Sequence, residues 1–542
     1  MSTHLKTLIL VGGICLGISI GEISKIASEV AIFAVILFLI QVGIYFGERK
    51  RKQMSDAVGV THLFSFPLIT ILFSLGLFLG ILRVQLVEEK VNYICEVSCT
   101  FDAKIISSGE IKNDYQVFNV HPIDATSPTS LISYGVASEV LDIQIKTPLY
   151  PKYKIGETLK LSGKVLAPEI LPSHGEKKSF DYSSYLMAKN IGSEMFYPKI
   201  ELINSETNSL AGVLGRLKEN MVGKIDLYVS SPASSLASGM LFGNSSISKE
   251  LNQTFRVAGL SHIIVLSGFN IAIVISFILF VFAFLPLLIR VSLASLSVIL
   301  FVIMVGGEAS VVRATLMAFI ALLATVIGRE YVAKQALIIS LFLIIIYEPY
   351  ALLHDVSLHL SFLATAGIVY LSAPLESICK KYFVRLSSQT FLSTFSTTLS
   401  AYIITLPYLM YTFGSVSIYA LISNILVLPF VPIAMLVSFL VVSNSYVSHF
   451  LALFFGYIDS LIINFMIWIA KAIELLPFSY LSFQISLLEM FTIYFFIVII
   501  IGFILKKIST ISFLSVKQND LKIKNETERL KSEGVLTDII SY

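Results

Sequence analysis

The chain has 542 residues, of which 56% are apolar and only 14% charged, with a formal net charge of +3. A soluble globular domain carries nearer ~25% charged residues, so the composition argues against a soluble enzyme. The small net charge identifies no partner, because charge in a membrane protein follows orientation.

Three apolar stretches come first, at 5–22, 28–46 and 64–86. Each approaches the ~20 residues needed to cross ~30 Å of hydrocarbon. The first lacks a small-residue cleavage site and is followed by further spans, so it reads as a span and not a signal peptide. A mostly polar segment follows. Within it, Leu141 to Lys146 and Leu159 to Ser162 alternate apolar and polar residues, as half-buried strands do. Gly109, Gly156 and Gly163 punctuate them. Cys95 and Cys99 lie here and form a candidate disulfide. In a regular strand they would stand ~13 Å apart, too far to bridge, whereas a turn or helix would bring them together.

Two amphipathic helices are expected next. In 210–228 the apolar positions Leu210, Val213, Leu214, Leu217, Met221, Ile225 and Tyr228 share one face. In 247–258, Ile247, Leu251, Phe255 and Ala258 do the same. Such helices lie along a membrane interface or pack on the neighbouring domain. Nine more spans follow, at 262–286, 291–306, 309–328, 335–348, 356–374, 390–411, 417–442, 448–475 and 485–505. The expectation is a polytopic α-helical membrane protein with about 12 spans and one external β-rich domain inserted after span 3. Basic residues support alternation: Arg49 to Lys52, Arg290, Arg329 with Lys334, Lys380 with Lys381 and Arg385, and Lys506 with Lys507 fall on one side. The opposite short loops at 306–310, 348–355 and 413–417 hold no Lys or Arg. Both termini are then cytoplasmic. The division is 1–86, a three-span segment; 87–205, the external domain; 206–258, interfacial helices; 259–505, the main transmembrane domain; and 506–542, a polar tail.

Polar groups in hydrocarbon are costly and so mark candidate sites. The densest set is His262, Ser267, Gly268 and Asn270 at the start of a span. It reads either as the lining of a path or as hydrogen-bonding glue between helices. Arg313 near the outer end of its span reads either as a snorkelling cation, with Glu308 as counter-ion, or as an anion-attracting group. His354, Asp355 and His359 lack a compact ligand spacing, so no metal or other cofactor is expected. His262 and Ser267 would point ~140° apart on a helix and make a poor catalytic dyad, and no G-x-S-x-G elbow occurs. An intramembrane hydrolase is therefore disfavoured. A secondary transporter of a small or lipid-linked substrate is the main alternative to a channel. No P-loop occurs, so the chain holds no motor of that kind.

Four ordered stretches resemble the ComEC family of competence proteins, which form the channel for DNA uptake. The first holds Gly239, Gly243, Phe255, Arg256, Gly259, Leu260, His262, Ser267 and Gly268. The second holds Ser310, Arg313, Ala314 and Met317; the third, Glu348, Pro349 and Leu360 to Thr365; the fourth, Pro407, Phe413, Gly414, Ser417, Asn424 and Pro429. Upstream, Lys178, Phe180, Asp181, Tyr182, Tyr185, Leu186 and Gly192 resemble the end of the family's external OB-like domain. Asn270 and His359 stand where the family usually has His and Gln. Many members continue into a metallo-β-lactamase-like domain, and the ~35 residues after the last span are too few for one.

The resemblance implies a non-enzymatic channel for single-stranded DNA, with Arg256, His262, Ser267, Asn270 and Arg313 along its path. The implied partners are membrane lipid, an external DNA receptor, a cytoplasmic ATP-driven translocase and a separate nuclease. The oligomeric state is left open, a homo-oligomer included.

Overall fold

The computed structural model of the protein describes residues 3–23, a few positions between 75 and 82, and 95–501 apart from 108–109, 113–114, 124–140, 169–181, 188, 205–208, 244–246, 265, 267, 307–308, 350 and 384–388. The spans expected at 28–46 and, for the most part, 64–86, and the tail at 506–542, lie outside the described residues. The chain forms two compact units: Met1–Phe362 with Ser417–Leu481, and Leu363–Val416 with Ser482–Tyr542.

The polar segment of the first unit folds as a small closed barrel. Its strands are β1 (Cys95–Ile105), β2 (Glu110–Lys112), β3 (Tyr115–Pro122), β4 (Asp142–Pro148), β5 (Thr158–Leu166), β6 (Ile191–Phe196) and β7 (Lys199–Asn204). Both strands expected from alternation are present, as β4 and β5. The order β1-β3-β4-β6-β5 closes by pairing β5 back onto β1, and only β4 with β6 runs parallel among the barrel pairs. Inward residues Ile143, Ile145, Leu159, Leu161, Phe118 and Val120 are fully or almost fully buried. Each contributes about 1.5–3 kcal/mol through area removed from water. Strand β1 is not regular at its start: Cys95 pairs with Val165 and Cys99 with Gly163, so four steps on β1 face two on β5. That bulge removes the premise of the ~13 Å extended separation. Cys99 is disulfide-bonded, and Cys15 and Cys379 are free thiols.

Among the described residues five helices are long and apolar enough to cross a bilayer: Leu287–Val305, Ser310–Ile327, Val356–Lys380, Ala420–Asn444 and His449–Glu474. Shorter apolar helices run at Ile9–Ser19, Ala233–Phe242, Asn270–Val281, Ala333–Tyr347 and Leu487–Ile501. This is the build of a multi-pass membrane protein. Large apolar side chains such as Phe450, Phe454, Trp468 and Phe495 point outward, as lipid-facing residues do. Two expected spans are interrupted. The one at 262–286 breaks into Ser261–Ile264 and Gly268–Val281. The one at 417–442 divides at a 3-10 turn, Leu428–Phe430, where Pro429 and Pro432 remove backbone donors.

Small residues set the closest helix contacts. A Cβ added at Gly76 or Gly80 would strike the carbonyl oxygens of Leu10 or Ile14, so this Gly-x-x-x-Gly pair lets two backbones touch. The helix Leu210–Tyr228 buries Gly212, Gly215 and Lys218 and leaves Leu210, Val213 and Leu217 exposed. The N-terminal part of its apolar stripe therefore faces outward, as on a helix beside lipid, while Ile225 is buried in the main core with Met221 packed against it. The helix Lys249–Val257 turns its apolar face inward: Leu251 and Phe255 enter the main core. In the second unit, Gly367 packs against the carbonyl of Ser400, and the Tyr494 hydroxyl donates to the Ile404 carbonyl at 2.9 Å.

Candidate functional site

The loop between Val257 and Gly268 crosses the break in the interrupted span, and three glycines hold it. Gly243 ends its helix with φ +65°, and a Cβ there would lie 2.8 Å from the Leu266 side chain. Gly259 has φ +74°, and its added Cβ would lie 2.4 Å from the Ala420 Cβ. Gly268 would place a Cβ 3.0 Å from the Ala314 Cβ and 3.2 Å from an Arg313 guanidinium nitrogen. Each glycine marks a place where only a bare backbone fits.

Those contacts join the four sequence stretches. The first meets the second where Gly268 abuts Arg313 and where the Ser310 hydroxyl donates to the Leu266 carbonyl at 3.2 Å. It meets the fourth where Gly259 abuts Ala420 and Ser417, and where the Ser423 hydroxyl donates to the Ala258 carbonyl. The second meets the third where the Arg313 guanidinium lies 5.8 Å from the Phe362 ring centroid. Residues up to 180 positions apart in sequence thus form one contiguous patch around an interrupted helix.

Arg313 is 7% exposed, the only candidate cation of the path that the fold buries. Besides Phe362, its guanidinium reaches the Met317 sulfur at 4.0 Å. A cation over an aromatic face gains about 0.5–2 kcal/mol, more as water is removed. It sits four residues into the helix Ala309–Ile327, beside the break. Arg256 is exposed at the end of Lys249–Val257, with its guanidinium 5.9 Å from the Tyr480 ring. His262 is exposed on the short helix Ser261–Ile264. Asn270 differs from a path-lining residue: it is 3% exposed, and its amide donates to the Met240 carbonyl at 2.9 Å. It ties the second half of the broken span to Ala233–Phe242. Ser267 lies outside the described residues.

Other polar residues resolve into local roles. Asp355 caps the helix that starts at Val356, its Oδ1 accepting from the backbone N–H of Ser357 and Leu358 at 2.8 and 3.2 Å. The His359 ring bonds the Leu352 carbonyl. Among the described residues no group of His, Cys, Asp and Glu is arranged to hold a metal ion. Leu266 and Ala420 were not legible as site residues, and Phe362 entered only as one letter of the third stretch, because apolar side chains carry no chemical signal until the fold sets them against a charge or a backbone.

The barrel presents a second polar and aromatic cluster. Lys146 on β4 lies 4.5 Å from the Phe196 ring and 5.6 Å from the Tyr182 ring, and it pairs with Glu194 at 2.6 Å. Tyr182 and Tyr185 stack at 6.2 Å, and Lys189 lies 4.8 Å from the Tyr185 ring. The Tyr182 hydroxyl donates to the Gln144 Oε1 at 3.0 Å. Burial, then the neighbouring Glu194 carboxylate, pushes the Tyr182 phenol well above its ordinary value, so it stays protonated. Tyr197 follows Phe196, and both are largely exposed at the same end of the barrel as Tyr150.

A family model described as "Competence protein" matches residues 240–508. ComE operon protein 3 of Bacillus subtilis (strain 168) is 24% identical over 318 residues, covering 57% of this chain and 38% of that protein. The chain therefore spans well under half the length of this curated relative. No solved structure matches.

Proposed function

The chain belongs to the competence-protein family through its residues 240–508, and from that premise we propose that it conducts single-stranded DNA across the cytoplasmic membrane during natural transformation. The observation that carries this reading is the patch around Arg313. Unwound backbone at membrane depth is tolerated where it is buried in protein or lines a cavity, and the Arg313 cation beside the interrupted span supplies charge opposite to that of a phosphate. Arg256 and Arg313 attract phosphates, His262 and Ser267 border the strand, and Asn270 holds the second half of the broken helix in place. Both termini lie in the cytoplasm and the barrel lies outside.

The barrel is OB-like in this reading. It has five strands closed into a Greek-key barrel, and such folds take single strands by stacking bases on aromatics within a basic groove. Lys146, Lys189, Phe196, Tyr197, Tyr182 and Tyr185 supply both chemistries. An external receptor delivers DNA, and one strand enters after a separate nuclease has removed its complement. Moving one phosphate charge toward a negative interior costs ~2.3 kcal/mol per 100 mV. Without a P-loop among the 542 residues, a cytoplasmic ATP-driven translocase supplies the pull.

A strain lacking this chain is expected to bind labelled DNA at its surface normally and to internalise none. Normal internalisation in that strain would end the channel reading.

A further inference from the structure

Asp459 has no part in the path described above. It stands ten residues into the helix His449–Glu474, roughly 15 Å from the helix start at 1.5 Å per residue, and is 0% exposed. The Ser438 hydroxyl donates to its Oδ2 at 2.7 Å, and among the described residues its Oδ1 has no hydrogen-bond partner. The helices packed against His449–Glu474 are Leu210–Tyr228, Ala233–Phe242, Lys249–Val257, Ala420–Val427 and Val431–Asn444. Those at 233–242, 420–427 and 431–444 carry no titratable side chain. Lys249, Glu250 and Arg256 are exposed, as are Arg216, Glu219 and Asp226. Lys224 lies over the Tyr446 ring, Lys218 is the buried cation of its helix, and the Tyr228 hydroxyl hydrogen-bonds the His449 ring at 3.0 Å. On its own helix the other titratable groups are Tyr457 two residues before it and His449, Lys471 and Glu474 toward the ends.

An ionised carboxylate here would rest on a single hydroxyl, deep in an apolar bundle. That state is costly, and the neutral acid is favoured. Packing alone gives no reason for an acid, because an apolar residue of similar size fills such a position as well or better. We infer that Asp459, together with Ser438, is a proton-binding site: the carboxyl is protonated while the helices Val431–Asn444 and His449–Glu474 are packed, and it releases the proton when they part. The step breaks the Asp459 O–H bond and passes the proton to a water molecule that enters as the helices part, giving Asp459-COO⁻ and H3O⁺. The same helix places Met466, Ile467 and Ala470 in one core with Phe255, Leu260 and Ile263. Repacking around Asp459 therefore reaches the loop that holds the Arg313 patch. The link to transport rests on the channel reading: a proton carried inward offsets the charge of one phosphate.

The test uses the full chain in membranes and has two arms. The first treats membranes with a hydrophobic carbodiimide, which adds to a protonated carboxyl, and maps the adduct by mass spectrometry. Labelling is expected at Asp459, falling as pH rises, and absent at that position in Asp459→Asn. No adduct at Asp459 at any pH, in membranes where other buried carboxyls react, would overturn the proton site. The second arm measures DNA internalisation at equal membrane abundance. Asp459→Asn keeps the shape and the Ser438 hydrogen bond but cannot exchange a proton, so a loss of about tenfold or more is expected, with partial recovery in Asp459→Glu. Wild-type internalisation by Asp459→Asn would overturn the coupling to transport. Carbodiimide labelling reads the site even if the chain proves not to carry DNA, so the two failures are distinguishable.

Discussion

Replacing Arg313 by alanine is expected to cut internalisation of labelled DNA by roughly tenfold to a hundredfold, since contacts of a charged group are worth ~1.5–3 kcal/mol and 1.4 kcal/mol is a factor of ten. The protein should remain in the membrane at its usual level. The guanidinium is buried against the Phe362 ring and the Gly268 backbone, so truncation leaves a small void but no orphaned charge among those partners. Arg313→Lys sharpens the result. A lysine keeps the charge as a compact point but loses the planar face that lies over Phe362 and the fork that grips a phosphate. It should fall between wild type and alanine. Uptake unchanged in Arg313→Ala would remove this residue from the path, and loss of the protein from the membrane would assign it a purely structural role.

Gly259→Ala is expected to destabilise the protein by about 2–5 kcal/mol. Roughly 1–2 kcal/mol comes from a side chain held at φ +74°. A further ~1–3 kcal/mol comes from forcing a methyl group into the 2.4 Å gap before Ala420. Thermal unfolding in detergent reads this directly, and two controls divide the effect. Gly328→Ala meets a similar φ of +70° with nothing within 4 Å, so it carries the strain alone. Gly223 lies inside the helix Leu210–Tyr228 with open space around it, and its alanine variant should gain about 0.5–1 kcal/mol of helix stability. If Gly259→Ala proves no worse than Gly328→Ala, the close approach of the loop to Ala420 is not a constraint, and the patch is looser than described.

Much of the fold was legible because two periodicities differ. Alternation at 141–146 and 159–162 located β4 and β5, and long apolar runs with few charges located the helices at 287–305, 309–327 and 449–474. The break of the 262–286 span was not legible. Ser261 to Ile264 and Gly268 onward are apolar enough to read as one helix, and only the contacts of Gly259 and Gly268 show why the chain turns aside there. The different orientations of the two amphipathic helices were equally hidden. Both display a clean apolar stripe, but in the first half of Leu210–Tyr228 Gly212, Gly215 and Lys218 are what face inward, and only toward its end do Met221 and Ile225 meet the core, a choice made by close helix packing and not by hydropathy. At the site, Arg313 and Asn270 announced themselves as polar residues in apolar surroundings. Their different environments, a ring and a loop for one and a backbone carbonyl for the other, follow only from which distant segments the fold brings to them.

The proposed path is tested most directly by catching DNA inside it. A photo-crosslinking amino acid placed at position 262, in a strain stalled during uptake, should capture the incoming strand as a protein–DNA adduct. The same residue at position 450, on the outward face of His449–Glu474, should not. The path predicts an adduct at 262 that requires added DNA and disappears in Arg313→Ala. Equal capture at both positions, or none at 262 while uptake proceeds, would contradict a DNA route past the Arg313 patch.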